Sequence, residues 1–194
     1  MRASPFKISF IAFCAALNVG VSSLVHLLKL PIYLDSVGTI LASVLIGPLE
    51  GAAAGVLALL IISLTVVPTA IAYCATAIAI AFCSSFFTRF KYLATMRASI
   101  LGGVLLGVIA ALLSVPVTVY VFHGASLVGA DVVTAFFHRV TDRSLLESVF
   151  LGGLSTDSID KVATSLLCFF LIKAMPVRLT SHFAGARILS VKPE

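Results

Sequence analysis

Two long stretches of this chain carry no charge at all, and they limit the fold more than any motif does. Between Glu50 and Arg89 lie 38 residues without Asp, Glu, Lys or Arg, and between Arg97 and Asp131 another 33. A hydrocarbon core about 30 Å thick takes roughly 20 apolar residues per helical crossing. The first stretch therefore has room for two crossings and the second for one. With 60% hydrophobic and 11% charged residues, the rest of the chain fits the same pattern, well outside the averages of soluble domains. The expected class is an all-α integral membrane protein forming one transmembrane domain. No stretch outside the spans is long enough for a soluble catalytic domain. The net charge of +5 is read as the Lys/Arg excess of cytoplasmic loops rather than as a nucleic-acid surface, since no RNA-binding signature accompanies it.

Punctuation by proline and basic turns divides the chain into six predicted helices, at about 8–28, 34–46, 51–66, 69–87, 99–122 and 158–175. Pro68 is the break inside the 38-residue stretch. Pro116 is expected to kink the fifth helix without ending it, and Asp157 reads as the N-cap of the last. The N-terminal run after Arg2 and Lys7 is long enough to span, so it reads as a retained helix rather than a cleaved signal. Placing the N-terminus inside puts nine Lys and Arg on the inner side and four on the outer. That split predicts both termini on the cytoplasmic face, with 177–194 as a cytoplasmic tail. The segment 123–157 then lies outside. Its Val132, Val133, Phe136, Phe137, Val140, Leu145, Leu146, Val149 and Phe150 recur at helical spacing among charged residues, as in an amphipathic helix. It is either a lid over a pocket or a connector resting on lipid.

Rare polar groups at membrane depth are costly and are normally paired or functional. Asp35 is either a ligand-facing acid at the outer mouth or a helix cap. Asp160 and Lys161 fall in the first turn of the predicted last helix, where neighbours point about 100° apart and do not face each other. A lysine there opposes the helix dipole, which favours a specific partner such as Asp35 or a substrate carboxylate. Asn18, midway along the first helix, serves either interhelical packing or ligand contact. Small residues recur at i, i+4 as Ala12, Ala16 and Gly20, as Gly51 and Gly55, and as Gly103 and Gly107, a spacing that lets helices approach closely in lipid.

Chemistry of other kinds finds little footing. Cys14, Cys74, Cys83 and Cys168 form no CxxC pair and read as small buried hydrophobes. No HExxH, GxSxG or GxxxxGK[ST] motif occurs, so the chain is expected to be no enzyme, to hold no metal or cofactor, and to leave any use of ATP to partner subunits. Ser155, after Gly152-Gly153, has no identifiable intramembrane base.

The run Leu30-Pro31-Ile32-Tyr33-Leu34-Asp35-Ser36-Val37-Gly38-Thr39, with Leu45-Ile46-Gly47-Pro48 and Gly51, resembles the second-helix region of the substrate-binding S components of energy-coupling factor (ECF) transporters. The likeness is to an uncharacterised branch of that family. Pro68-Thr69-Ala70-Ile71-Ala72-Tyr73, and Asp160-Lys161 through Lys173-Ala174-Met175-Pro176, look similar to the same branch. The likeness covers most of the chain in order, through short motifs. It implies a six-transmembrane-helix bundle in a prokaryotic cytoplasmic membrane, binding a vitamin or related micronutrient near the outer surface. It also implies partners, namely a transmembrane coupling protein and two ATPases, with Ala12, Ala16 and Gly20 as the docking stripe. One departure stands out: similar proteins often carry a Thr-Asn pair where this chain has Ala58-Leu59, which implies a different ligand or a loss of transport. The expected substrate-binding residues are Asp35 and Lys161, then Asp160, Tyr33, Asn18 and Tyr73. A non-transport membrane sensor or assembly subunit is the alternative.

Overall fold

The computed structural model describes residues 5–123, 133–137, 144–176 and 183. The regular structure of those residues is all helical, with no strand among them. The helices are α1 Pro5–Leu27, α2 Val37–Leu45, α3 Pro48–Thr65, α4 Cys74–Thr88, α5 Met96–Tyr120 and α6 Leu145–Ala174, with a 3-10 turn Pro68–Tyr73 leading into α4. Among them, α1, α3, α5 and the continuous unit Pro68–Thr88 are long and apolar enough to cross a membrane.

Polarity is inverted relative to a soluble fold. Leu64, Leu101, Phe13 and Leu24 point outward, Leu64 being 85% exposed, while Asn18, Asp160, Lys161, Thr164 and Ser165 are buried. In water such an apolar surface would be a large association patch; in lipid it meets its own kind, and polar groups are driven inward to find partners. This is the signature of a multi-pass membrane protein.

The centre of the bundle is α2. All nine of its residues are buried, and it packs against α1, α3, α4 and α6. Nine residues make a helix only about 14 Å long, less than half a bilayer core, so α2 occupies the interior without crossing. Its first turn lies against the middle of α1, where a Cβ on Gly38 would run into the Cys14 carbonyl. The connection 28–36 therefore descends from the end of α1 into the bundle. It begins with a Schellman closure: Leu30 N–H donates to Val25 O (3.2 Å) and Lys29 N–H to His26 O (3.0 Å). Lys29 takes the left-handed conformation (φ 53°) that glycine usually fills.

On the other side, α5 lies along α6. Cβ atoms at Gly103 and Gly107 would collide with the backbone of Val162 and Ser158, so these glycines set the closeness of the two helices. Gly51 and Gly55 do the same toward Ser43 and Thr39 of α2. At one end of the bundle Lys7 pairs with Glu50 at 2.8 Å, joining the starts of α1 and α3.

Two expectations change. The last helix begins at Leu145, not near 158: Ser144 is its N-cap, with the hydroxyl accepting from Glu147 N–H at 3.4 Å. Asp157 is thus an interior helical residue rather than a cap, and 145–157 belongs to α6 instead of a separate outer segment. The helical spacing of Leu146, Val149 and Phe150 runs on into the last helix, and Gly152-Gly153 lies inside that helix without ending it. The chain 124–132 and 138–143, with Asp131, Val132, His138, Arg139, Val140, Asp142 and Arg143, lies outside the described residues, as does 177–194 apart from Phe183. That residue is buried against Phe6 and Phe10 of α1, with ring centroids 5.5 and 4.9 Å away.

Candidate functional site

Opposite the Lys7–Glu50 end, the helices diverge around a cavity of about 410 Å³, in the size class of small-molecule sites. Each wall is a stripe at helical spacing: Ser22, Val25 and His26 on α1, with Lys29 just beyond it; Gly55, Leu59 and Ile62 on α3, with Val66 at its C-cap; Ala110, Ser114 and Thr118 on α5; Val149, Gly153, Asp157 and Lys161 on α6. Residues four apart share a helix face, so the α6 stripe presents two charges on one line. Tyr73, Thr76, Ala77 and Ile80 complete one side, and Tyr33, Asp35, Ser36 and Thr39 enter from the descending connection and α2.

At the floor sits a charge cluster. Lys161 Nζ lies 2.6 Å from Asp160 Oδ2, 2.7 Å from Ser36 Oγ and 3.4 Å from Asp35 Oδ1. The Ser36 hydroxyl in turn donates to Asp35 Oδ1 at 2.7 Å. The other oxygen of Asp160 accepts the successive backbone N–H groups of Tyr33 (2.9 Å) and Leu34 (2.7 Å). Leu34 has φ 46°, a rare conformation for a bulky side chain. It is held where two amides converge on one carboxylate oxygen, the geometry of an anion nest. Asp160 is completely buried and Lys161 nearly so, whereas the Asp35 side chain keeps 28% of its exposure. Asp157, also buried, accepts from Ser114 Oγ at 3.1 Å.

The expectation that Asp160 and Lys161 do not face each other is corrected here. Their Cβ directions do diverge, but the four-carbon lysine stem reaches back far enough to close the pair. Nor is Lys161 in a first turn, since α6 starts well before it. Asp35 is not a helix cap; its carboxylate takes the Ser36 hydroxyl and faces Lys161.

Among the expected binding residues, Asp35, Lys161, Tyr33 and Tyr73 line the cavity, whereas Asp160 and Asn18 stand outside its wall. Tyr73 has its hydroxyl 2.9 Å from Thr118 Oγ1 and its ring stacked on Phe122. Burial, then the Asp157 and Asp160 carboxylates, holds the Tyr33 phenol well above the usual tyrosine range. Asn18 has an interhelical role: its Oδ1 accepts Gly38 N–H at 2.6 Å and its Nδ2 donates to Thr39 Oγ1 at 2.9 Å. Ser36, the N-cap residue of α2, makes no side-chain cap bond, so α1 supplies the cap that the sequence at the helix start does not. Ser155 is exposed, its hydroxyl bonded to Leu151 O at 2.8 Å, and outside the cavity.

Sequence reasoning missed Asp157, Ser114, Thr118 and Thr76. The i, i+4 relation of Asp157 to Lys161 was visible, but assigning Asp157 to a cap removed it from the helix face. Thr76 is buried with its hydroxyl unpaired among the described residues.

The three stripes of small residues differ in placement. Gly51/Gly55 and Gly103/Gly107 are packed inside, while Ala12, Ala16 and Gly20 are exposed, and nothing lies within 4 Å of a Cβ built on Gly20. Leu59, from the Ala58-Leu59 pair, is part of the apolar wall.

No family model, curated protein or solved structure matches the chain. Fold and site together define a helical membrane protein with a polar-floored cavity at one end.

Proposed function

We propose that this chain is the membrane-embedded, substrate-binding subunit of an uptake system for a vitamin or related micronutrient, energised by a separate coupling protein with two ATPases. The observation that carries the reading is the cavity, whose floor holds Asp35, Asp157 and Lys161 inside an otherwise apolar bundle. Charged groups at this depth are expensive and are kept for function. In this reading α1, α3, the unit Pro68–Thr88, α5 and the later part of α6 cross the membrane. The remaining helix, α2, is enclosed among them. Both termini face the cytoplasm, which sets the Lys7–Glu50 end inside and the cavity toward the exterior. Thr134, in the short helical piece 133–137, is buried and lines the cavity, which supports a lid rather than a lipid-borne connector.

The exposed Ala12, Ala16 and Gly20 stripe is the proposed docking face for the coupling protein. A close-approach surface that none of the described helices fills suits a partner helix.

Purified protein should bind one micronutrient per chain. Failure of a broad panel of vitamins and their precursors, with folded protein, would overturn the reading. Ala12→Trp and Ala16→Trp should leave binding intact and abolish uptake in cells that also express the coupling module. Equal loss of both would mark the stripe as structural. Binding retained in cells where uptake never depends on an ATPase would favour the sensor alternative.

A further inference from the structure

We infer that the ligand of this cavity presents a cationic group to its floor, an ammonium or a positively charged heterocycle. The inference rests on the binding role proposed above and narrows its ligand class. An ammonium has three donors and no acceptor capacity, and Lys161 finds three acceptors within the protein: Asp160 Oδ2, Ser36 Oγ and Asp35 Oδ1. No donor is left over for a ligand carboxylate or phosphate. Lys161 therefore works as an internal counter-ion that fixes the connection 28–36 to α6.

The charge balance of the floor then has the opposite sign from the one a lone lysine suggests. Asp35, Asp157 and Asp160 stand against one ammonium, and Asp160 is saturated by Lys161 and two backbone N–H groups. Asp35 and Asp157 both border the cavity, and Asp157 has only the neutral Ser114 hydroxyl as a hydrogen-bond donor among the described residues. His26, at the exposed end of α1, and Lys29, just beyond it and also exposed, border the cavity too. Asp35 already shares Lys161, whereas Asp157 has no cation hydrogen-bonded to it among the described residues. A buried carboxylate in that position stays protonated or carries its charge at high cost, and a ligand cation favours the ionised form on entry. A second observation points to an occupant. Thr76, 7% exposed, lines the same cavity with its hydroxyl unpaired among the described residues, although a helical threonine can return that bond to its own backbone. The apolar walls of α3 and α4 would hold the rest of the molecule.

The test compares 2-phenylethylammonium, 2-phenylethanol and phenylacetate, which share a ring and chain length. Each is titrated into folded protein in nanodiscs, followed by ligand-observed NMR and thermal midpoint. The ammonium should bind about tenfold or more tighter than the alcohol, the margin of a charge-assisted hydrogen bond, and the carboxylate weakest. Asp157→Asn should remove most of that preference and Asp35→Asn part of it, with size-exclusion profiles reporting folding for both. Equal or tighter binding of the alcohol or the carboxylate would overturn the inference, as would a preference unchanged in both variants. Mass spectrometry of small molecules released from denatured protein gives the independent arm. A stoichiometric cation supports the inference, whereas a stoichiometric neutral or anionic molecule overturns it while upholding the binding role. Only failure of the micronutrient panel removes that role itself.

Discussion

Lys161 Nζ sits 2.6 Å from the carboxylate of Asp160, the residue immediately before it; both are buried, Lys161 lining the cavity and Asp160 behind its wall. Sequence neighbours on a helix rarely pair, because their Cβ atoms diverge. Here Asp160 is already turned toward the backbone N–H groups of Tyr33 and Leu34, and Lys161 bends to meet its second oxygen. One ion pair thus joins α6, the connection before α2, and Ser36 at the start of α2.

Removing the ammonium should expose the cost of the carboxylates. Lys161→Met leaves three carboxylates without an internal cation, and breaking a buried pair costs about 3–5 kcal/mol. Lys161→Met combined with Asp160→Asn should recover part of that loss, since the amide oxygen still accepts from the 33–34 backbone. Thermal midpoints in one detergent give the comparison; a double variant less stable than the single would contradict the pairing.

Asn18 caps α2 from another helix. Asn18→Leu keeps the volume but strands the Gly38 N–H and removes the donor to Thr39. An unsatisfied buried group costs about 1–3 kcal/mol. The variant should unfold earlier, and hydrogen exchange should quicken at the first turn of α2 before it does at α3.

The glycine stripes should separate by location. Gly107→Val drives a branched side chain against the backbone at Ser158, where neither helix can yield without reopening the α5–α6 contact. Overpacking of this kind costs about 1–3 kcal/mol or more. Gly20→Val enters open space and should leave the thermal midpoint within a degree or so of the parent. Similar losses at both positions would mean that the α1 face is filled within this chain.

Tyr33 makes stability fall in alkali. Its phenol is held above the ordinary value near 10 by burial first and then by the Asp157 and Asp160 carboxylates. The folded chain therefore keeps a proton that the unfolded chain releases. That preference has no effect below about pH 10 and destabilises the fold progressively above it. Melting curves between about pH 9 and 12 should fall more steeply for the parent than for Tyr33→Phe; parallel curves would refute the assignment.

Much of the framework could be read from residue order alone. The charge-free runs require apolar crossings, Pro68 ends a helix for steric reasons, and Gly103/Gly107 sit where two helices touch, because these properties are local or periodic. The length of the last helix could not be read that way. A helix carrying Gly152-Gly153 and several charges persists only because α5 packs against it and its charges meet partners. Residue spacing likewise offered Asp35, Asp160 and Lys161 as polar exceptions, with Asp35 or a substrate carboxylate as the partner of Lys161. It could not show that Asp160 and Lys161 satisfy each other, nor that Asn18 serves α2 rather than the cavity. Those outcomes depend on helix rotation and depth, and on a connection that enters the bundle because α2 is too short to span it. Composition and periodicity determine that this chain is helical and suited to lipid. The partners of its few charges, and hence the sign of the charge left facing the cavity, are decided only where α1, α2 and α6 meet.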